Sequence, residues 1–146
     1  MNRLETIAPD FAQNLLKADP AKLRAVKREA CREILPILDE INDADVVRAK
    51  DEIFKNDILS EDLRKKIDDL ADSFDEKYLP LYEKNPKDEP AYMSFFTKAR
   101  ALSAISSAGE GDSYACAADA IYEVSSALMD RVTLFERLGT VLQVNG

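Results

Sequence analysis

The chain of 146 residues contains no histidine. Imidazole is the commonest general acid/base near neutral pH and the commonest transition-metal ligand, so both roles lose their usual residue. Ser-His and Cys-His nucleophile pairs, H-E-x-x-H zinc sites and Glu-x-x-His di-iron bundles are excluded with it. Any chemistry falls to carboxylates, Lys, Tyr or a hard cation. Glycine and proline are scarce, at four and six residues, too few for a disordered linker protein or a turn-rich β-sandwich. No apolar run approaches the roughly 20 residues that cross a bilayer. Met1-Asn2-Arg3-Leu4-Glu5 lacks the apolar segment of a secretory signal. These absences predict a cytoplasmic protein with no membrane partner. The two cysteines, Cys31 and Cys116, lie within helical patterns and read as free thiols packed as small apolar groups.

What is present is helical periodicity. A short segment from Asp10 to Ala18 follows Pro9. Asp19-Pro20 reads as a cap with proline at the first helical position, and Leu23, Val26, Ala30, Ile34, Ile37 and Leu38 recur behind it at spacings of three and four. Pro36 falls inside that pattern and predicts a kink near Arg32 to Leu35. Asp43 or Asp45 opens the next helix. Ser60-Glu61-Asp62 opens a longer one, whose stripe is Leu63, Ile67, Leu70, Phe74, Tyr78 and Leu81. Residues 84–90, Lys-Asn-Pro-Lys-Asp-Glu-Pro, form a breaker loop.

Beyond that loop two periodic segments span 90–142 and meet at Gly109-Glu110-Gly111-Asp112. The glycines are expected to stop one helix and the aspartate to cap the next. Small residues flank the turn, from Ala101, Ser103, Ala104 and Ala108 to Ala115, Ala117 and Ala118, and let the backbones approach there. Nothing alternates with period two. The expectation is an all-α single domain over 1–146, a bundle of five to six helices ending in a long antiparallel helical hairpin.

Charge is unevenly spread. Residues 38–89 hold nine Lys/Arg against seventeen Asp/Glu, a net of −8 that equals the charge of the whole chain. Such a field repels nucleic-acid phosphate and anionic lipid and attracts basic protein. The acids concentrate in Asp39, Glu40, Asp43 and Asp45 and in Asp68, Asp69, Asp72, Asp75 and Glu76. Asp68, Asp72 and Asp75 share one helical face. Paired carboxylates on two helices hold Mg²⁺ in helical nucleotide pyrophosphohydrolases, whose motif this chain resembles only loosely because no matching Glu-x-x-Asp follows. The plain reading is a face opposite the Leu63-to-Leu81 stripe, with no metal and no cofactor. The basic run Lys22, Arg24, Lys27, Arg28 and Arg32, interrupted by Glu29 and Glu33, reads as a solvated face lying against the acidic helices. Tyr82 lies off the stripe beside the breaker loop and is an interface candidate. Asp119 and Glu123 repel unless a cation stands between them, and Arg100 is placed to supply it.

The segments Ala99-Arg100-Ala101-Leu102-Ser103-Ala104-Ile105 and Ala115-Cys116-Ala117-Ala118-Asp119-Ala120-Ile121-Tyr122 resemble the Ala-rich helical pairs of small bacterial immunity proteins, which neutralise polymorphic or contact-dependent toxins. The resemblance is one of composition over roughly a third of the chain. It implies a non-catalytic inhibitor, and an acidic chain suits a basic toxin. The expected function is therefore protein binding, with Asp39, Glu40, Asp43, Asp45, Asp68, Asp69, Asp72, Asp75, Glu76 and Tyr82 as the partner-binding set. A Mg²⁺-dependent carboxylate hydrolase and a homo-oligomeric adaptor are the alternatives, the latter a homodimer through a C-terminal helix that reaches Leu142 and Val144.

Overall fold

A computed structural model describes residues 2–128 and 130–143. Among them nine helices follow one another: α1 (Arg3–Ile7), α2 (Pro9–Leu16), α3 (Pro20–Glu33), α4 (Leu35–Asp39), α5 (Ala44–Asn56), α6 (Glu61–Lys84), α7 (Glu89–Glu110), α8 (Tyr114–Ala127) and α9 (Arg131–Gln143). The chain is all-α. No described helix is long and apolar enough to cross a membrane.

Side-chain caps explain most helix starts. Asn2 and Glu5 close a capping box on α1. Asp19 accepts from the Lys22 amide ahead of Pro20, Asp43 from the Asp45 and Val46 amides, and Ser60 from the Leu63 amide. The disturbance expected around Pro36 is a break: α3 ends at Glu33, Ile34 leaves helical geometry, and α4 restarts with Pro36 in its first turn.

Nine helices replace the five or six expected, and the long final helix is two. Leu128 is extended (φ −96°, ψ 144°). Asp130 then accepts from the Thr133 amide at 3.0 Å and from its hydroxyl at 2.6 Å, the bonds of a new N-cap. The turn before α8 also differs. Gly109 lies inside α7, Gly111 ends that helix in extended backbone (φ 173°), and Ser113 rather than Asp112 caps α8. Val144 lies outside the described residues, while Leu142 is half-buried against the core.

The largest helix–helix contact is the antiparallel pair α6–α7, followed by α7–α8, so the hairpin expected over 90–142 is secondary to one built on 61–110. α3 packs on α8 and α9 from the other side. Leu63, Ile67, Leu102, Ile105, Ile121, Leu134 and Leu138 are completely enclosed. Alanines 101, 104 and 108 on α7 and 117, 118 and 120 on α8 are buried too, the small-residue contact that lets those helices close.

The end of the molecule near the α7–α8 turn is locked by two non-local contacts. The Leu59 amide donates to the Gly109 carbonyl at 2.9 Å, and the Leu59 side chain fills the space where a Cβ on Gly109 would stand, 2.4 Å from Cγ. Lys27, 2 % exposed, donates to the carbonyls of Asp57 (3.0 Å) and Gly111 (2.8 Å) and to Asp112 Oδ1 (3.0 Å). All three ammonium protons are used, so the buried charge is fully satisfied. Lys27 thereby ties α3 to the α5–α6 and α7–α8 connections, and it is not part of a solvated basic face. Burial of the neighbouring Cys31 thiol pushes its pKa up to about 12, against a smaller lowering by Lys27, which leaves it an inert packing group.

Candidate functional site

The hydrophobic core takes side chains from α6 only as far as Phe74 and from α7 only from Ala101 onward. The last ten residues of α6 and the first ten of α7 run on past it, each about 15 Å of helix. Between residues 75 and 98 only Tyr92 is buried. This arm is held by aromatic contact. Tyr78 meets Tyr82, Tyr92 and Phe96 at centroid distances of 5.6, 5.6 and 5.1 Å, and Tyr82 meets Tyr92 edge-on at 5.5 Å. On its other side Phe74 stacks with Phe95, with Lys77 and Lys98 over the rings. The Tyr92 hydroxyl donates to the Pro86 carbonyl and fastens the tip loop. Burial raises the pKa of Tyr78 and Tyr92, reinforced for Tyr78 by Tyr82 and Asp75 and for Tyr92 by Glu89.

At the arm's base Arg100 donates to Asp75 (2.7 Å) and to the buried Glu123 (3.2 Å). Glu123 also meets Arg3 at 2.9 Å, and the Arg3 guanidinium covers the Tyr122 ring. One chain of charges thus joins α1, α8, α7 and α6. Arg100 neutralises Glu123 as expected, with Asp75 as its second partner instead of Asp119.

The structure splits the partner-binding set drawn from the sequence. Asp39 is held by Lys50 at 2.5 Å, Asp43 caps α5, and Asp45 lies 3.7 Å from Arg48. Those three carboxylates are committed to the fold, and Asp75 is committed to Arg100. Glu40 is exposed at the end of α4. Asp68, Asp69, Asp72 and Glu76 are all exposed on α6 and make no salt bridge among the described residues. Their spacing places them on one outward stripe with Glu61, Lys65 and Glu83. From Ile67 to Glu76 the helix carries five acids and no Lys or Arg. Some other acids are matched locally, Glu29 by Arg32, Asp51 by Lys55 and Asp62 by Lys66, while the exposed Asp10, Glu40, Asp88, Glu89 and Glu136 make no salt bridge among the described residues either. The α3 cations do not reach the α6 stripe. Arg28 pairs with Asp57 at 2.5 Å, Lys22 donates to the Leu142 carbonyl, and Lys27 is interior.

One residue escaped sequence reasoning. Leu79 sits on the same outward stripe, 49 % exposed, and Tyr82, the interface candidate drawn from the sequence, flanks it at 42 %. The signal for Leu79 was available: a leucine more than a right angle off the apolar stripe, set among acids. Among the described residues no group of three His, Cys, Asp or Glu side chains lies close enough to hold a metal ion. The acids point outward and do not converge. A separate cleft of about 590 Å³ between α2 and α9, lined by Phe11, Lys17, Lys22 and Leu142, contains none of the expected site residues. Compared with family models, curated proteins and solved structures, the chain matches none.

Proposed function

We propose that the protein is a non-catalytic binding module for a basic protein partner, an acidic inhibitor of the immunity-protein kind for a cationic toxin. The observation that carries this reading is the α6 stripe of Asp68, Asp69, Asp72 and Glu76, four exposed carboxylates on one helix that make no salt bridge among the described residues, within a run from Ile67 to Glu76 that holds no Lys or Arg. Two like pairs at i,i+4, Asp68–Asp72 and Asp72–Glu76, each cost the helix about 0.2–0.5 kcal/mol, so the arrangement does not serve the helix. A face of one sign steers an oppositely charged protein and raises its association rate, an effect that salt screens over about 8–10 Å. The resemblance of α7 and α8 to immunity proteins points the same way, by composition alone. The test uses a partner recovered on the immobilised chain and then identified. Reversing Asp68, Asp69 and Asp72 to Lys should slow its association about tenfold at low salt, converge with the parent at high salt, and leave the melting temperature unchanged. Association as fast as the parent's at low salt sinks the reading.

A further inference from the structure

Six large apolar residues are exposed on the described surface, and Leu79 and Tyr82 are the pair that lies one helical turn apart. An isolated exposed leucine is ordinary. Leu79, however, continues the acidic stripe directly, three residues beyond Glu76 and four before Glu83. Tyr82 presents a ring already immobilised against Tyr78 and Tyr92. A ring fixed before binding loses little further freedom when covered.

The geometry points to a two-part docking surface along the outer face of α6 that runs onto the arm: Asp68, Asp69, Asp72 and Glu76 receive the cations, and Leu79 with Tyr82 receives the apolar side, of one basic amphipathic helix of the partner. This rests on the proposed reading of the acidic stripe and names where and how the partner seats. Charge complementarity selects the occupant. A second copy would bring its own unpaired carboxylates against these, and a nucleic acid its phosphates, so both are repelled. The two parts divide the kinetics. The carboxylates set the association rate, and the apolar pair sets how long the complex lasts. The remaining acidic cluster, on α4 and α5, stays outside the footprint because Asp39, Asp45 and Asp43 are spent on Lys50, Arg48 and the α5 cap, which leaves Glu40 alone there.

The experiment titrates the labelled full chain with two synthetic helical peptides of equal positive charge, one of Leu and Lys and one with every Leu replaced by Ser. The Leu-bearing peptide should bind about tenfold tighter, the worth of covering one large apolar side chain. Its resonance shifts should cluster between Asp68 and Glu83. Leu79→Ser, at a half-exposed position that leaves the fold intact, should erase the difference by raising the dissociation rate, and Tyr82→Gln provides an independent check. If both peptides bind equally at Asp68–Glu76, the stripe reading survives and the apolar docking proposal falls. If neither binds there, both fall. Shifts centred on α5, or a dimer that dissociates on Leu79→Ser, overturn the proposal as well.

Discussion

The two ends of the α6–α7 hairpin are built to opposite rules. Near the α7–α8 turn, alanines, Gly109 and Leu59 are buried against one another, and a fully bonded lysine closes the assembly from a third helix. At the arm, tyrosines and phenylalanines touch one another and remain half open to water. Six of the eleven Phe and Tyr residues lie between 74 and 96, yet one of them is buried, so bulk there creates surface and not core. Enclosed packing goes with small side chains and distant partners, and half-exposed aromatic contact goes with large side chains and local partners.

The sharpest way to break this contrast is Lys27→Met. Losing hydrogen bonds from a charged donor to two interior carbonyls should cost about 3 kcal/mol in chemical denaturation, and a loss below 1 kcal/mol would show that the lock contributes little. Gly109→Ala comes next. Alanine favours helix by about 1 kcal/mol over glycine, but the new methyl meets three Leu59 side-chain atoms within 2.9 Å. Overpacking against an enclosed leucine should win, for a net loss of about 1–2 kcal/mol. A rise in melting temperature would mean that Leu59 has room to move.

Alkaline titration probes both ends more gently. Tyr78 and Tyr92 in the arm and Tyr114 at the start of α8 all have raised pKa values, chiefly through burial. Their protons are held more tightly folded than unfolded. Stability is therefore complete below the ordinary phenol value of about 10 and drains as pH rises through the folded values. Phenolate absorbance followed against unfolding should show all three titrating late, and Tyr→Phe variants separate the arm pair from Tyr114. The smallest effect belongs to Leu79→Ser, which should change stability by less than about 0.5 kcal/mol, since nothing encloses that side chain. A larger loss would make the arm part of the core.

How much was readable in advance follows from how far each signal reaches along the chain. Asp19-Pro20, Asp43 and Ser60 announced helix starts because a cap bonds residues two or three positions away. The Asp130 cap was equally local, but Leu128, Val132 and Phe135 keep helical spacing through it and hid the break. Lys27 was read as solvated because its acceptors lie 30 and 84 residues away. Gly109 looked like a helix stop because its reason for being glycine is Leu59, which no local window contains. The site divided along the same line. The acidic run on α6 was legible, as were the Asp43 cap and the i,i+3 pairing of Asp45 with Arg48, whereas the loss of Asp39 to Lys50 and of Asp75 to Arg100 depended on the fold. The Leu63-to-Leu81 stripe was correct as a pattern, but periodicity says which face is apolar and not whether anything covers it.

The charge chain at the base of the arm has a practical corollary for handling this protein. Arg3, on a five-residue helix at the amino end, is one of the two guanidinium groups on Glu123, and Glu123 shares the other with Asp75. A purification tag that drags those first residues away from α8 would be felt as an unplanned substitution at the footing of the recognition arm. Affinity measurements on amino-terminally tagged material should therefore be repeated after the tag is cleaved.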